Sequence, residues 1–196
     1  MAPRKVTVFT LVQARLGSTR LPRKVLMDIK GKSMLERIME RAALIGPPVV
    51  LVIPEDDLEL ALYAIARDWT YMHGSEEDVL DRYAKCATSL NADHVIRVTS
   101  DCPFLDVEAA QLTLAEHLHG RYDLTTYHEA EGRGVQVFKV ETLRKVAEIA
   151  VKDMRHSPDL VLLKAYGPWV VHTMKFSVDT EADLATARRR ATHGKN

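Results

Sequence analysis

Six basic side chains, Arg15, Arg20, Arg23, Lys24, Lys30 and Lys32, fall between Gln13 and Lys32 against one acid, Asp28. Gly17 lets a ligand approach the main chain closely, and Arg15, Arg20 and Lys24 offer cations matched to phosphate oxygens, arginine being able to engage two at once. The segment therefore reads as a triphosphate cradle. Charge alone does not separate that reading from a solvated basic loop, because the stretch has neither a Gly-Lys-Ser/Thr ending nor a GxGxxG spacing.

Asp101 and Asp179 each follow a β-rich run, and two carboxylates delivered by strand ends to one edge could coordinate Mg²⁺, a hard cation that shares oxygen ligands with phosphates. Each also has an ordinary structural use. Asp101 suits a turn before Cys102-Pro103, and Asp179 suits a helix N-terminus beside Thr180. The coincidence of both with the basic loop favours the metal reading.

The remaining reactive side chains offer less. His117 and His119 are two apart on a predicted helix and cannot share a face. His128 and His156 are candidate substrate contacts, while His73, His94, His172 and His193 read as structural or solvated. No Gly-x-Ser-x-Gly elbow is present and Cys86 lies within a helical apolar rhythm, so nothing supports a protein nucleophile.

The elements that must position these residues follow a βαβ rhythm. Val6 to Val12 is a β-rich run without polar alternation, as expected of a strand buried on both faces, and it ends in the basic loop. Ser33 and Glu36 form a capping box ahead of Met34, Leu35, Ile38, Met39, Ala42 and Ile45. Val49 to Ile53 is a second strand, and Leu58, Ala61, Leu62 and Ile65 predict the inward face of a second helix. Trp69 to Met72 predicts a short strand, then Ser75 with Asp78 caps a helix facing inward through Val79, Leu80, Tyr83, Ala87 and Leu90.

His94 to Val98 predicts a strand and Val107 to His119 a helix. Tyr122 to Thr126 and Val135 to Lys139 read as strands of an antiparallel or irregular insertion. A helix over Glu141 to Ala150, a short one from Ser157-Pro158, a strand over Val170 to Phe176 and a last helix capped by Thr180 complete the chain, where Arg188 to Arg190 reads as a solvated helix end. Strands alternating with helices predict one α/β domain over 1–196 with a mostly parallel sheet and its ligand beyond the carboxyl ends of the strands.

Bulk properties agree. The chain has 196 residues, 46% of them hydrophobic, enough for one core. Its 27 basic and 27 acidic residues balance, which removes whole-molecule attraction to nucleic acid or anionic membrane. Two cysteines, Cys86 and Cys102, suit a reducing cytosol, and no apolar run approaches the roughly 18 residues a bilayer span needs. A soluble cytoplasmic protein is expected.

The stretch Gln13-Ala14-Arg15-Leu16-Gly17-Ser18-Thr19-Arg20-Leu21-Pro22-Arg23-Lys24 resembles the signature of the cytidylyltransferases that activate acidic sugars, including CMP-Kdo and CMP-acylneuraminate synthetases. The spore coat polysaccharide biosynthesis branch is nearest. The match continues through Gly74 to Tyr83, Thr99 to Pro103 and Ser177 to Leu184.

The resemblance implies a three-layer α/β/α nucleotide-diphospho-sugar transferase-like fold, often dimeric, that transfers CMP from CTP to a small acidic acceptor and releases pyrophosphate. Arg15, Ser18, Arg20 and Lys24 then match triphosphate-binding residues, and Ala14 and Gly17 match backbone contacts to nucleotide. Asp101 and Asp179 match the Mg²⁺ pair, with Arg15, Arg20, Lys24 and Asp101 catalytic. His128, Arg133, Gln136 and His156 are assigned to the acceptor side. One departure stands out: Gly134 and Gln136 occupy positions where the branch carries carboxylates, which leaves the acceptor open. Competing readings are a nucleotide-sugar-dependent glycosyltransferase, against which the single Asp of Thr99 to Pro103 counts, and a non-catalytic nucleotide-binding module.

Overall fold

The computed structural model describes residues 4–120, 122–128, 135–150 and 170–172, together with Glu181 and Ala185. Strands β1 (Val8–Gln13), β2 (Val49–Pro54), β3 (Tyr71–Gly74), β4 (His94–Thr99), β5 (Leu124–His128), β6 (Gln136–Lys139) and β7 (Val170–His172) form one sheet in the order β3-β2-β1-β4-β6-β5-β7. Pairing is parallel from β3 through β4, and among the described strands β6 alone runs against its neighbours.

Helices cover both faces, because successive strand residues point to opposite sides. Val12, Leu51, Ile53, Ile96, Val98 and Val137 pack with α1 (Met34–Ala43), α2 (Leu58–Ile65) and α4 (Val107–Gly120). Leu11, Val50, Val52, Val95 and Phe138 pack instead with α3 (Val79–Ser89) and α5 (Val140–Ile149). The three-layer α/β/α arrangement expected from the sequence is therefore present. Among the described residues no helix is long and apolar enough to cross a membrane.

The capping box of α1 forms as expected: the Glu36 amide donates to Ser33 Oγ at 3.0 Å, and the Ser33 amide donates to Glu36 Oε2 at 2.6 Å. Three expectations need correction. In α2 the inward face is Leu60, Ala61 and Ala64, while Leu58, Leu62 and Ile65 are 71%, 66% and 59% exposed. Both sets satisfy helical spacing, and packing against the sheet selects Leu60, Ala61 and Ala64. Asp78, not Ser75, caps α3, accepting from the Asp81 amide at 2.9 Å, while Ser75 Oγ accepts from the Asp78 amide one turn earlier. Finally, β5 and β6 are integral to the main sheet rather than an insertion, with β6 inserted between β4 and β5.

The helix predicted from Ser157-Pro158, the end of the strand predicted to Phe176, the Thr180 cap and Arg188 to Arg190 lie outside the described residues.

Candidate active site

The cleft at the carboxyl ends of β1 and β4 is built from ends that hold one another. The Ala14 amide donates to Val52 O at 3.2 Å and the Ser100 amide to Gln13 O at 3.1 Å, so the exits of three neighbouring strands are tied together. Asp57, the N-cap of α2, accepts from the Leu60 amide through Oδ1 and from the Leu16 amide through Oδ2, each at 3.2 Å. One side chain thus caps a helix and pins the loop after β1. Within that loop the Ser18 amide donates to Leu16 O at 2.8 Å and Ser18 Oγ accepts from the Leu21 amide at 3.3 Å.

Arg23 takes a left-handed conformation, φ 58°, and its guanidinium grips Glu59 through two nitrogens. Lys32 binds both oxygens of Glu40, at 2.6 and 2.8 Å. Two of the six cations counted in the sequence are therefore held by carboxylates outside the cleft. Past Arg23, a single 3₁₀ turn, Lys24–Leu26, buries Val25 and turns Lys24 inward.

The cleft has a volume of about 320 Å³ and brings together Ala14, Arg15, Ser18, Arg20, Lys24 and Asp101. Lys24 Nζ lies 3.1 Å from Asp101 Oδ2, and Arg15 Nη1 lies 3.8 Å from Glu76 Oε1. Gly17 is exposed beside Glu76; a Cβ there would stand 2.7 Å from Glu76 Oε1, which a shift of that flexible carboxylate would relieve. Gln136 is fully buried in β6, away from these lining residues. His128 is placed in β5 by its backbone, whereas Asp179, Arg133 and His156 lie outside the described residues.

Reasoning from the sequence missed Arg82. This residue of α3 lines the cleft, is 1% exposed, and its Nε and Nη1 have no hydrogen-bond partner among the described residues. Burial draws its pKa down, and Arg15 adds to the effect. Gly74 makes room for it, since a Cβ there would meet Arg82 Cγ at 2.6 Å. The available signal was a cation inside the apolar rhythm of α3, between Leu80 and Tyr83 on one side and Ala87 on the other. Glu76 and Glu77 were missed as well, so four cations share the cleft with three carboxylates among the described residues.

Such a cleft can hold a polyanion, with a buried guanidinium that a ligand can satisfy. No group of three or more His, Cys, Asp or Glu side chains able to hold a metal occurs among the described residues. Asp101 nevertheless offers Mg²⁺ a suitable hard oxygen at a strand end, and that ion commonly takes one or two carboxylates and completes its shell with phosphate and water. Burial pushes the Cys86 thiol up to about 11, which fits a structural side chain.

A family model described as cytidylyltransferase matches residues 9–165. The chain belongs to the cytidylyltransferase family. This cytidylyltransferase-family chain is 33% identical over 126 residues to the spore coat polysaccharide biosynthesis protein SpsF of Bacillus subtilis, a match covering 60% of this chain and 52% of that protein. It is 34% identical over 123 residues to 3-deoxy-manno-octulosonate cytidylyltransferase of Brucella ovis, covering 60% and 49%. The chain thus spans about half the length of the curated relatives it matches.

Solved structures share the fold. A cytidylyltransferase from Leptospira borgpetersenii superposes with a TM-score of 0.86 at 24% identity, covering 98% of this chain and 89% of that one. CMP:2-keto-3-deoxy-manno-octonic acid synthetase complexed with CTP gives 0.80 at 18% identity, covering 95% and 99%.

Proposed function

We propose that this protein transfers a cytidylyl group from CTP to a hydroxyl of a sugar acid, releasing pyrophosphate. The observation that carries the reading is the convergence of Arg15, Arg20, Lys24 and Arg82 with Asp101 on one cleft at the carboxyl edge of the sheet. Family membership supports the nucleotide, as does the CTP complex of a protein with this fold.

In the reaction, the acceptor oxygen bonds to the α-phosphorus while the bond from that phosphorus to the β-bridging oxygen breaks. The electron pair leaves with pyrophosphate and the hydroxyl proton passes to water. Arg15, Arg20 and Lys24 hold the β- and γ-phosphates and stabilise the charge that grows on the leaving group, a contribution of about 3 to 4 kcal/mol for a well-placed donor. Ser18 orders the loop, while Ala14 and Gly17 let the nucleotide meet the main chain. Arg82, buried at the cleft wall, supplies a fourth cation to the nucleotide. Asp101, with Asp179, would hold Mg²⁺, which supplies charge neutralisation of the phosphates when bound.

The test is to incubate the protein with each nucleoside triphosphate, Mg²⁺ and a panel of sugar acids, and to follow pyrophosphate. Release with CTP and at least one acid is expected. Folded protein that releases none under any combination overturns the assignment, and full activity in Asp101→Asn removes Asp101 from the metal site.

A further inference from the structure

The loop after β1 is closed at its neck. The Arg23 amide donates to Leu16 O at 3.1 Å, so residues 16–23 return on themselves, and the Ser18 amide donates to the same carbonyl at 2.8 Å. Leu21 fastens the tip, 3% exposed and packed with Ile29 and Met34. Two of the cations of the cleft leave the chain directly beside that neck, Arg15 one residue before Leu16 and Lys24 one residue after Arg23. Consecutive Cα atoms are only about 3.8 Å apart, so a neck that moves carries both side chains with it.

Both sides of the neck are held by the first turn of α2. Asp57 Oδ2 accepts from the Leu16 amide at 3.2 Å, across 41 positions of sequence, while Oδ1 accepts from the Leu60 amide at 3.2 Å as the helix cap. Two positions on, Glu59 takes the Arg23 guanidinium through both carboxylate oxygens. The helix is a firm base for these contacts, because Leu60 and Ala64 are fully buried in the core shared with the sheet. Arg23 and Glu59 are 58% and 45% exposed, so water screens their attraction. Asp57 is different. A helix cap needs one oxygen; the second oxygen of Asp57 has no capping duty, and it ends on the backbone between Arg15 and Gly17.

We infer that Asp57 is a positioning residue for the phosphate-binding cations, acting through the Leu16 amide to fix the neck from which Arg15 and Lys24 reach into the cleft. Asp57 does not line the cleft, and neither does any other residue of α2. The role deepens the proposed transfer reaction and rests on it for the identity of the ligand, a triphosphate. It gives α2 a part in the site that the cleft lining does not reveal: the side chain that starts the helix also sets the loop that binds phosphate.

Variants that keep the cap but drop the second oxygen separate position from stability. Serine caps a helix about as well as aspartate yet offers a single oxygen, and alanine offers none. Asp57→Ala should lower the melting temperature and weaken ligand binding together, whereas Asp57→Ser should recover most of the melting temperature and leave binding weak. The probe is tripolyphosphate, which has the phosphates without ribose or base, titrated by calorimetry beside CTP. In Asp57→Ser both dissociation constants should rise about tenfold, the size of one charge-assisted hydrogen bond lost. The sign is diagnostic. Asp57 lies close enough to act on the charge of Arg23, so removing its carboxylate would by charge alone favour an anion, and weaker binding reports position. Amide hydrogen exchange needs no ligand: in Asp57→Ser the Leu16 amide should exchange at least about tenfold faster while those of Leu60 and Ala64 keep their protection. Tripolyphosphate binding as tight in Asp57→Ser as in wild type overturns the positioning role, and so does unchanged exchange at Leu16. A wild type that binds neither tripolyphosphate nor CTP overturns the transfer reaction as well, and that failure shows before any substitution is made.

Discussion

Lys24 Nζ lies 3.1 Å from Asp101 Oδ2, a contact between the loop after β1 and the loop after β4 across 77 positions of sequence. Both side chains are partly exposed, at 13% and 23%. In the proposed reaction a bound metal and triphosphate would offer each a stronger partner, and the pair would hold the two sides of the cleft together until the nucleotide arrives. We expect Lys24→Met to lower kcat/KM for CTP by about 10²- to 10³-fold, as removal of a transition-state donor does. Its melting temperature should change little, since partly exposed ion pairs contribute at most about 1 kcal/mol. Steady-state pyrophosphate release together with a thermal melt checks both parts.

In the proposed site Arg82 would place function and stability in opposition. Its Nε and Nη1 are buried and unpaired among the described residues, so Arg82→Met, which keeps the length and removes the charge, should leave the fold as stable or more stable by about 1 to 4 kcal/mol. The same substitution should weaken CTP binding about tenfold or more. Urea unfolding and CTP titration of the one variant decide the matter; loss of stability with unchanged CTP affinity would place Arg82 in the scaffold instead.

The face of α2 can be read by a pair of truncations. Leu60 is fully buried, so Leu60→Ala should cost about 2 to 5 kcal/mol. Leu62 is 66% exposed, and Leu62→Ala should stay within about 0.5 kcal/mol. Equal losses in chemical denaturation would return Leu62 to the core.

His117 and Glu36 are two of the groups that shape the acid side of the stability profile. Burial, reinforced by His94, lowers the pKa of His117 to about 4, although Asp123 acts in the other direction. The ring is fully buried, with Nε2 2.9 Å from His94 Nδ1 and Nδ1 2.9 Å from Thr125 Oγ1. In the unfolded chain the imidazole takes a proton near its ordinary value of 6.5. The unfolded state therefore binds more protons, and this contribution is present above 6.5 and is lost as pH falls toward 4. Glu36 acts lower down. Burial raises its pKa, but hydrogen bonds from Ser33, Arg67 and Tyr63 outweigh it and hold the carboxyl at about 2. Its contribution is full above the ordinary 4.5 and lost as pH falls from there toward 2. Urea midpoints across this range should fall in two stages, and His117→Gln should flatten the upper one.

Much of this architecture is local and therefore legible in the chain. Runs such as Val49 to Ile53 are apolar on both sides because helices cover both faces of the sheet, and Ser33 with Glu36 announces a helix start through contacts three residues apart. The loop from Gln13 to Lys24 carries its cations in a single continuous segment, which is why Arg15, Arg20 and Lys24 stand out in the sequence. By contrast, α2 carries two apolar stripes of the same period, and only contact with the sheet selects Leu60 over Leu62.

The sequence by itself determined the succession of elements, the strand-end position of Asp101 and the grouping of Arg15, Arg20 and Lys24 on the loop after β1, because each rests on residues close together in the chain. The tertiary structure alone decided that Arg23 turns to Glu59, that Arg82 is buried at the cleft wall, and that Arg97, Gln136 and Thr126 share one row. That row exists because β6 runs antiparallel between β4 and β5, bringing its first residue, Gln136, to the carboxyl end of β4. Side-chain charge is a property of each residue, but whether a charge is compensated depends on neighbours that strand pairing brings from distant parts of the chain.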